Sequence, residues 1–126
     1  MYCLIVDDDE DCLFIGQKIV GEMGFSTRIA RSGEEALEIC MRKLPQAILL
    51  DWSLPGMDGL TFLEKLKRLN DGYKVTIVMS TGHSEEKKVK EALASGVKGY
   101  LIKPFTKEDI ARQFAYLRVK PERLTF

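Results

Sequence analysis

No charge of one sign dominates this chain. Nineteen lysines and arginines cancel nineteen aspartates and glutamates, so no overall field draws it to nucleic acid or to an anionic membrane. Long hydrophobic runs are missing too. The first, Tyr2 to Val6, is too short for the core of a signal peptide, and none approaches the ~20 residues of a membrane span; the expected location is the cytoplasm. Cysteine is scarce and odd in number, and Cys3, Cys12 and Cys40 show no metal-ligand spacing. They sit in apolar stretches, as reduced packing thiols do. With a single histidine, His83, no soft metal site can be assembled. Internal repeats, low-complexity tracts and Pro/Gly linkers are also absent. The expectation is one domain over residues 1–126 with no output domain, monomeric or transiently dimeric, whose signal must leave through its own surface.

What is present is enough for a core: 126 residues, 45% hydrophobic and 30% charged, the composition of a globular domain that buries well over half of its unfolded surface. Five short segments alternate with five longer ones of helical period, which predicts an α/β fold with a parallel sheet and covering helices. The strands are expected at Tyr2–Val6, Ser26–Ala30, Ala47–Leu50, Val75–Met79 and Gly99–Ile102. Four are nearly continuous in apolar residues, as strands buried on both faces are; Ser26-Thr27-Arg28-Ile29-Ala30 is mixed, which marks an edge. Helical stripes run through Cys12, Ile15, Ile19 and Met23; Ala36, Leu37, Cys40 and Leu44; Phe62, Leu63, Leu66 and Leu69; Val89, Ala92 and Leu93; and Ile110, Phe114 and Leu117. Ser32-Gly33-Glu34-Glu35 and Thr106-Lys107-Glu108-Asp109 resemble capping boxes. Gly24 and Gly96 stand where helices should stop.

In an open parallel sheet, ligands bind outside the carboxyl ends of the strands, and here those ends are polar. The first strand stops at Asp7-Asp8-Asp9-Glu10-Asp11; the third stops at Asp51, directly after Ile48-Leu49-Leu50. A solvated helix N-terminus would account for the acidic run taken alone. If the two strands are neighbours, however, Asp7 or Asp8 points toward Asp51, and crowded carboxylates call for a divalent cation. An all-oxygen set with two or three carboxylates suits Mg²⁺. With their charge screened, a carboxylate can attack phosphorus and form an aspartyl phosphate. Downstream, Trp52-Ser53-Leu54-Pro55-Gly56-Met57-Asp58-Gly59 must turn, with Asp58 placed to cap the next helix.

The fourth strand runs into Ser80-Thr81-Gly82, hydroxyls beside a residue with no side chain to crowd a ligand. The fifth ends Tyr100-Leu101-Ile102-Lys103-Pro104-Phe105. The residue before proline is held extended, which restricts where Lys103 aims and leaves its bond to Pro104 open to the cis form. Phosphoryl transfer is mostly positioning and charge stabilisation, so a hydroxyl, an ammonium and Mg²⁺ suffice.

Together, Val6-Asp7-Asp8, Asp51 with Pro55-Gly56-Met57-Asp58-Gly59, Ser80-Thr81-Gly82, and Tyr100 with Lys103-Pro104-Phe105 resemble the response-regulator receiver domain, in its single-domain chemotaxis-like form, over residues 2 to about 118. The resemblance implies a flavodoxin-like sheet in the order 2-1-3-4-5 with helices on both faces. It implies that Asp51 accepts phosphate from the histidine of a kinase or a phosphotransfer protein. Asp7, Asp8 and Asp51, with the Ser53 main-chain carbonyl, would hold Mg²⁺, and Thr81 and Lys103 would bind the phosphoryl group. Tyr100 would be the switch residue, on a target-binding face of the fourth helix, fifth strand and fifth helix that includes Val89 and Lys107. Lys87, Lys88 and Lys90 make that face locally basic. Ser53 and His83 occupy positions that tune phosphate lifetime in the family, and neither is the commonest occupant there. The chain is thus expected to be a signalling domain whose only chemistry is its own phosphorylation and dephosphorylation.

Three other functions fit less well. An aspartate-nucleophile phosphohydrolase needs a second acid two residues after the nucleophile, where Ser53 stands. A flavodoxin-like cofactor binder needs a phosphate loop after the first strand, where five acids would repel phosphate. A receiver that works without phosphorylation has no reason to keep the acidic, hydroxyl and lysine positions together.

Overall fold

Four apolar runs and one mixed run form a single sheet. In the computed structural model, which describes residues 2–82 and 86–121, the strands are β1 (Tyr2–Val6), β2 (Ser26–Ala30), β3 (Ala47–Asp51), β4 (Thr76–Thr81) and β5 (Gly99–Ile102). The helices that alternate with them are α1 (Glu10–Glu22), α2 (Gly33–Arg42), α3 (Gly59–Lys67), α4 (Glu86–Ala94) and α5 (Lys107–Tyr116). All pairings are parallel, in the order β2-β1-β3-β4-β5. The architecture is the expected five-stranded, flavodoxin-like one, and the mixed strand β2 is an edge.

Period-two alternation divides the apolar side chains between two layers. Leu4, Val6, Ile48, Leu50, Ile77 and Met79 join Phe62, Leu66 and Cys40 on one side. Ile5, Leu49, Val78 and Leu101 join Leu13, Val20, Ile110 and Phe114 on the other. Central strands β1 and β3 are buried throughout.

Four readings need correction. β5, taken from its apolar run as covered on both faces, is the second edge: Tyr100 and Ile102 are 41% and 40% exposed while Gly99 and Leu101 are buried. Strand β4 starts one residue late and runs on through Ser80 and Thr81, so the hydroxyl pair belongs to the strand. On α1 the inward face is Leu13, Gly16 and Val20, with Ile15 exposed. The stripe was displaced because a glycine leads it inward: a Cβ on Gly16 would stand 3.2 Å from Ile5 Cγ2, so the helix lies close on the sheet where hydrophobic counting sees nothing. On α4, Ala92 is buried as expected but Leu93 is 43% exposed.

Helix starts follow cap chemistry. Asp9 accepts from the Asp11 and Cys12 N–H groups, Asp58 from Thr61 N–H and Ser32 from Glu35 N–H. The Thr106–Asp109 box is closed in both directions. Gly24 and Gly96 take φ of 101° and 114° after α1 and α4, the left-handed conformation that helix stops favour. Beyond α5, Arg118 turns the chain at φ 58°, Val119 is buried, and Gln46 Nε2 donates to the Lys120 carbonyl at 2.6 Å. Among the described residues no helix is long and apolar enough to cross a membrane.

Candidate functional site

Asp7 and Asp51 leave adjacent strands at the same level. Val6 pairs with Leu50, so each aspartate is the next residue along its chain. Asp7 is fixed at its backbone, where its N–H donates to Ala30 O at 3.1 Å, and at its side chain, where Oδ1 accepts from Asp9 N–H at 3.0 Å. Asp51 Oδ1 accepts from Ser53 N–H at 3.1 Å. Both carboxylates are nearly sealed from water, at 3% and 6% exposure. Asp8 is exposed, yet one oxygen from each of Asp7, Asp8 and Asp51 lies within 4.8 Å of the others.

Lys103 reaches into this cluster from the end of β5. Its Nζ is 2.7 Å from Asp7 Oδ2 and 3.5 Å from Asp51 Oδ2. Its backbone N–H donates to Thr81 O at 2.8 Å, which ties the lysine to the end of β4, and its peptide bond to Pro104 is cis. Thr81 and Ser80 are buried; Ser80 lies in register with Asp51. Five predicted site residues, Asp7, Asp8, Asp51, Thr81 and Lys103, therefore stand together at the carboxyl ends of the strands.

Burial raises the Asp51 pKa, and the neighbouring Asp7 raises it further; the Ser53 N–H and the Lys103 ammonium offset only part of this. For Lys103, burial disfavours the charge, but the hydrogen bond to Asp7 and the charges of Asp51 and Asp7 outweigh it, so its pKa is raised. The ammonium stays protonated between two carboxylates.

The five-acid run divides its labour. Asp7 and Asp8 face the cluster and Asp9 caps α1. Glu10 is drawn off to the side by the Arg31 guanidinium, which binds both its oxygens and holds its pKa down. The sequence reading did not find this pair, although Arg31 directly follows β2 and so belongs to the same edge. Three carboxylates with neither thiol nor imidazole among them make an oxygen donor set, and a lysine already drawn into it shows the demand for positive charge. Such a set fits Mg²⁺.

A family model described as the response regulator receiver domain matches residues 3–115. The chain belongs to that family. Among curated relatives, the Bacillus subtilis sporulation initiation phosphotransferase F is 31% identical over 85% of this receiver chain and 85% of its own length. Chemotaxis protein CheY-3 of Vibrio cholerae is 31% identical over 84% and 82%. The Rhizobium meliloti phosphate regulon transcriptional regulatory protein PhoB is 33% identical over 96% of this chain, which spans only 54% of PhoB. Among solved structures, Vibrio cholerae chemotaxis protein CheY4 superposes with a TM-score of 0.84 at 26% identity, covering 94% of this chain and 97% of the other. A Pseudomonas aeruginosa sensor histidine kinase receiver domain, solved with magnesium coordinated in its active-site cleft, shares the fold at a TM-score of 0.83 and 23% identity, over 93% and 97% of the two chains.

The expected output residues of the receiver lie apart from the acidic cleft. Tyr100 is 41% exposed on edge strand β5, Val89 is half-buried on α4 and Lys107 is exposed at the start of α5. Lys87, Lys88 and Lys90 are all exposed. His83 lies outside the described residues. Beside Lys103, a cavity of about 320 Å³ is lined by Cys12, Ile15, Gly82, Pro104 and Phe105.

Proposed function

We propose that this receiver domain accepts a phosphoryl group on the Asp51 carboxylate from a phosphohistidine of a kinase or phosphotransfer protein. The observation that carries the reading is the lysine–carboxylate cluster, with Lys103 Nζ 2.7 Å from Asp7 and 3.5 Å from Asp51. An Asp51 oxygen attacks phosphorus, the phosphorus–nitrogen bond of the donor breaks, and its imidazole leaves carrying the bonding pair. The Ser53 N–H on Oδ1 holds the carboxylate in one orientation, so that Oδ2 is the oxygen presented. Asp7, Asp8, Asp51 and the Ser53 main-chain carbonyl would hold Mg²⁺, which when bound screens the acids and neutralises charge on the phosphoryl oxygens. Lys103 exchanges its carboxylate contacts for a phosphoryl oxygen, and the Thr81 hydroxyl donates to another.

The donor approaches over the apolar cavity beside Lys103, whose Ile15, Pro104 and Phe105 offer a patch for a partner helix. Output runs through the other face. The Tyr100 ring, half in solvent on an edge strand, turns inward as Thr81 moves toward the phosphoryl group. That repacks the surface of α4, β5 and α5 that includes Val89 and Lys107.

A small-molecule phosphodonor tests the chemistry. The expected product is one acid-stable, alkali-labile phosphate per chain, dependent on Mg²⁺ and missing from Asp51→Asn. Stoichiometric labelling that survives the substitution would refute the assignment, and rapid turnover of unrelated phosphomonoesters would point to a hydrolase. NMR shifts at Tyr100 that do not move on adding a phosphoryl mimic would separate this residue from the switch.

A further inference from the structure

The loop between β3 and α3 starts directly after Asp51 and carries Trp52 and Ser53, and two glycines pack closely against it. Trp52 is held at both ends of its backbone: its N–H donates to Ser80 O at 3.0 Å and its carbonyl accepts from Gly59 N–H at 3.4 Å. Its side chain is 8% exposed and lies against the first residue of α3. A Cβ built on Gly59 would stand 2.7 Å from Trp52 Cδ2 and 2.9 Å from Cζ3, closer than carbon atoms approach without something moving. On the far side of the loop, a Cβ on Gly33, the first residue of α2, would stand 3.1 Å from both the Cβ and the main-chain oxygen of Met57. Neither glycine has a positive φ; Gly59 is needed for space, whereas a side chain at Gly33 would ask Met57 to give by a few tenths of an ångström.

We infer that Gly59 and Trp52 are positioning residues of the acceptor site. The indole seated on Gly59 sets the path of Trp52 and Ser53, and with it the orientation in which the Asp51 carboxylate and the Ser53 main chain face a cation. The link is short. Ser53 N–H orients Asp51 Oδ1 at 3.1 Å, so any displacement of the indole is passed on within one residue to that hydrogen bond. Gly33 against Met57 braces the opposite side. Placement errors of about 1 Å are enough to degrade a site of this kind. The inference rests on the proposed assignment of the acceptor site.

Mn²⁺ is a suitable probe, because it prefers the same oxygen donors and the free ion can be counted by its electron paramagnetic resonance signal without reference to activity. Wild type, Gly59→Ala, Trp52→Leu and the double variant are compared, with thermal unfolding in parallel. Gly59→Ala is expected to weaken Mn²⁺ binding about tenfold, as loss of an orienting partner does, and to shift the Ser53 amide resonance. Trp52→Leu removes the indole that sets the path of the loop and is expected to weaken binding about tenfold as well; because it also makes room for the new Cβ, the double variant should bind as Trp52→Leu alone does, the two losses not adding. A folded Gly59→Ala or Trp52→Leu that binds like wild type, or losses that add in the double variant, overturns the inference. If Gly59→Ala does not fold, Gly33→Ala takes its place: a weakened site supports the positioning role of the loop, and undiminished Mn²⁺ affinity overturns it. Wild-type protein that binds no Mn²⁺ would instead overturn the assignment of the acceptor site itself.

Discussion

The two ends of the sheet are built from opposite materials. At the carboxyl ends lie Asp7, Asp51, Ser80 and Thr81, which are the buried polar or charged residues among those described. At the amino ends the strands begin in buried Tyr2 and Ala47, and the crossings are closed by backbone pairing. Gln46 N–H donates to Tyr2 O at 2.8 Å, and Thr76 N–H donates to Gln46 O at 3.2 Å. The Tyr2 hydroxyl adds a bond to the Lys43 carbonyl at 2.5 Å. Burying carboxylates costs stability unless they are paired, and that cost is gathered at one end. The lesson is that chemistry and stability are separable here, the first at one end of the strands and the second at the other.

The largest expected effect lies at the amino end. Phe114 is 1% exposed and meets Phe25 edge-on with centroids 5.4 Å apart, so Phe114→Ala should lose about 3–5 kcal/mol in chemical denaturation. Phosphorylation of the still-folded variant at low temperature should be unaffected; a matching loss would break the separation. Next comes Lys103→Ala, expected to slow phosphorylation roughly 10²–10³-fold, as removal of one preorganised charge-stabilising donor does. Rates close to wild type would deny the cleft its special standing.

Asp51→Asn should act on stability in the opposite direction. A carboxyl whose pKa is raised on folding lends stability while it is protonated, below the ordinary carboxylate range, and that stability is lost as pH rises through the raised value. Metal-free protein should therefore weaken over that window, with Asp51→Asn lacking the slope. The variant should also be the more stable of the two at neutral pH, read as a higher Tm. A flat wild-type profile would show that Lys103 already compensates Asp51 in full. Smallest is Tyr2→Phe, which removes one hydroxyl bond at the amino end. It should lower the denaturation midpoint by the equivalent of about 1 kcal/mol and leave phosphorylation untouched; a change in phosphorylation would carry the Tyr2 contact across the sheet.

Much of the fold was legible because its signals are local. Runs such as Ile48-Leu49-Leu50 announce buried strands, and Asp58 and Thr106 announce helix starts through a single side chain each. Features set by contact were not. Tyr100 and Ile102 are as apolar as a buried strand requires, so nothing in Gly99-Tyr100-Leu101-Ile102 says that no strand lies beyond β5. Gly16 offers no side chain to count, although it is the point of closest approach between α1 and the sheet. Burial of Val119 depends on the turn at Arg118, an arginine in a conformation that sequence habits assign to glycine.

The candidate site was more legible than the fold around it, because each strand end contributes one chemically loud residue. Asp7, Asp51 and Lys103 stood out by type and place before any distance was known. What stayed hidden was their partnership. Lys103 could have aimed at solvent; only the geometry shows it resting on Asp7. The seat of Trp52 on Gly59 was invisible for the opposite reason, since an indole next to Asp51 reads as ordinary core.

The Lys103–Asp7 contact has a bearing on selectivity. In the proposed Mg²⁺ site the resting cleft would act as a small internal ion exchanger, with the three carboxylates of Asp7, Asp8 and Asp51 and one tethered cation. An ion that enters does not meet bare negative charge; it has to outbid an ammonium that is held by its own chain and cannot diffuse away. A monovalent ion carries no more charge than the group it must displace, whereas a divalent one brings twice as much into the same space. In the proposed site, discrimination between them would thus come from the competitor rather than from a cage of fitted size.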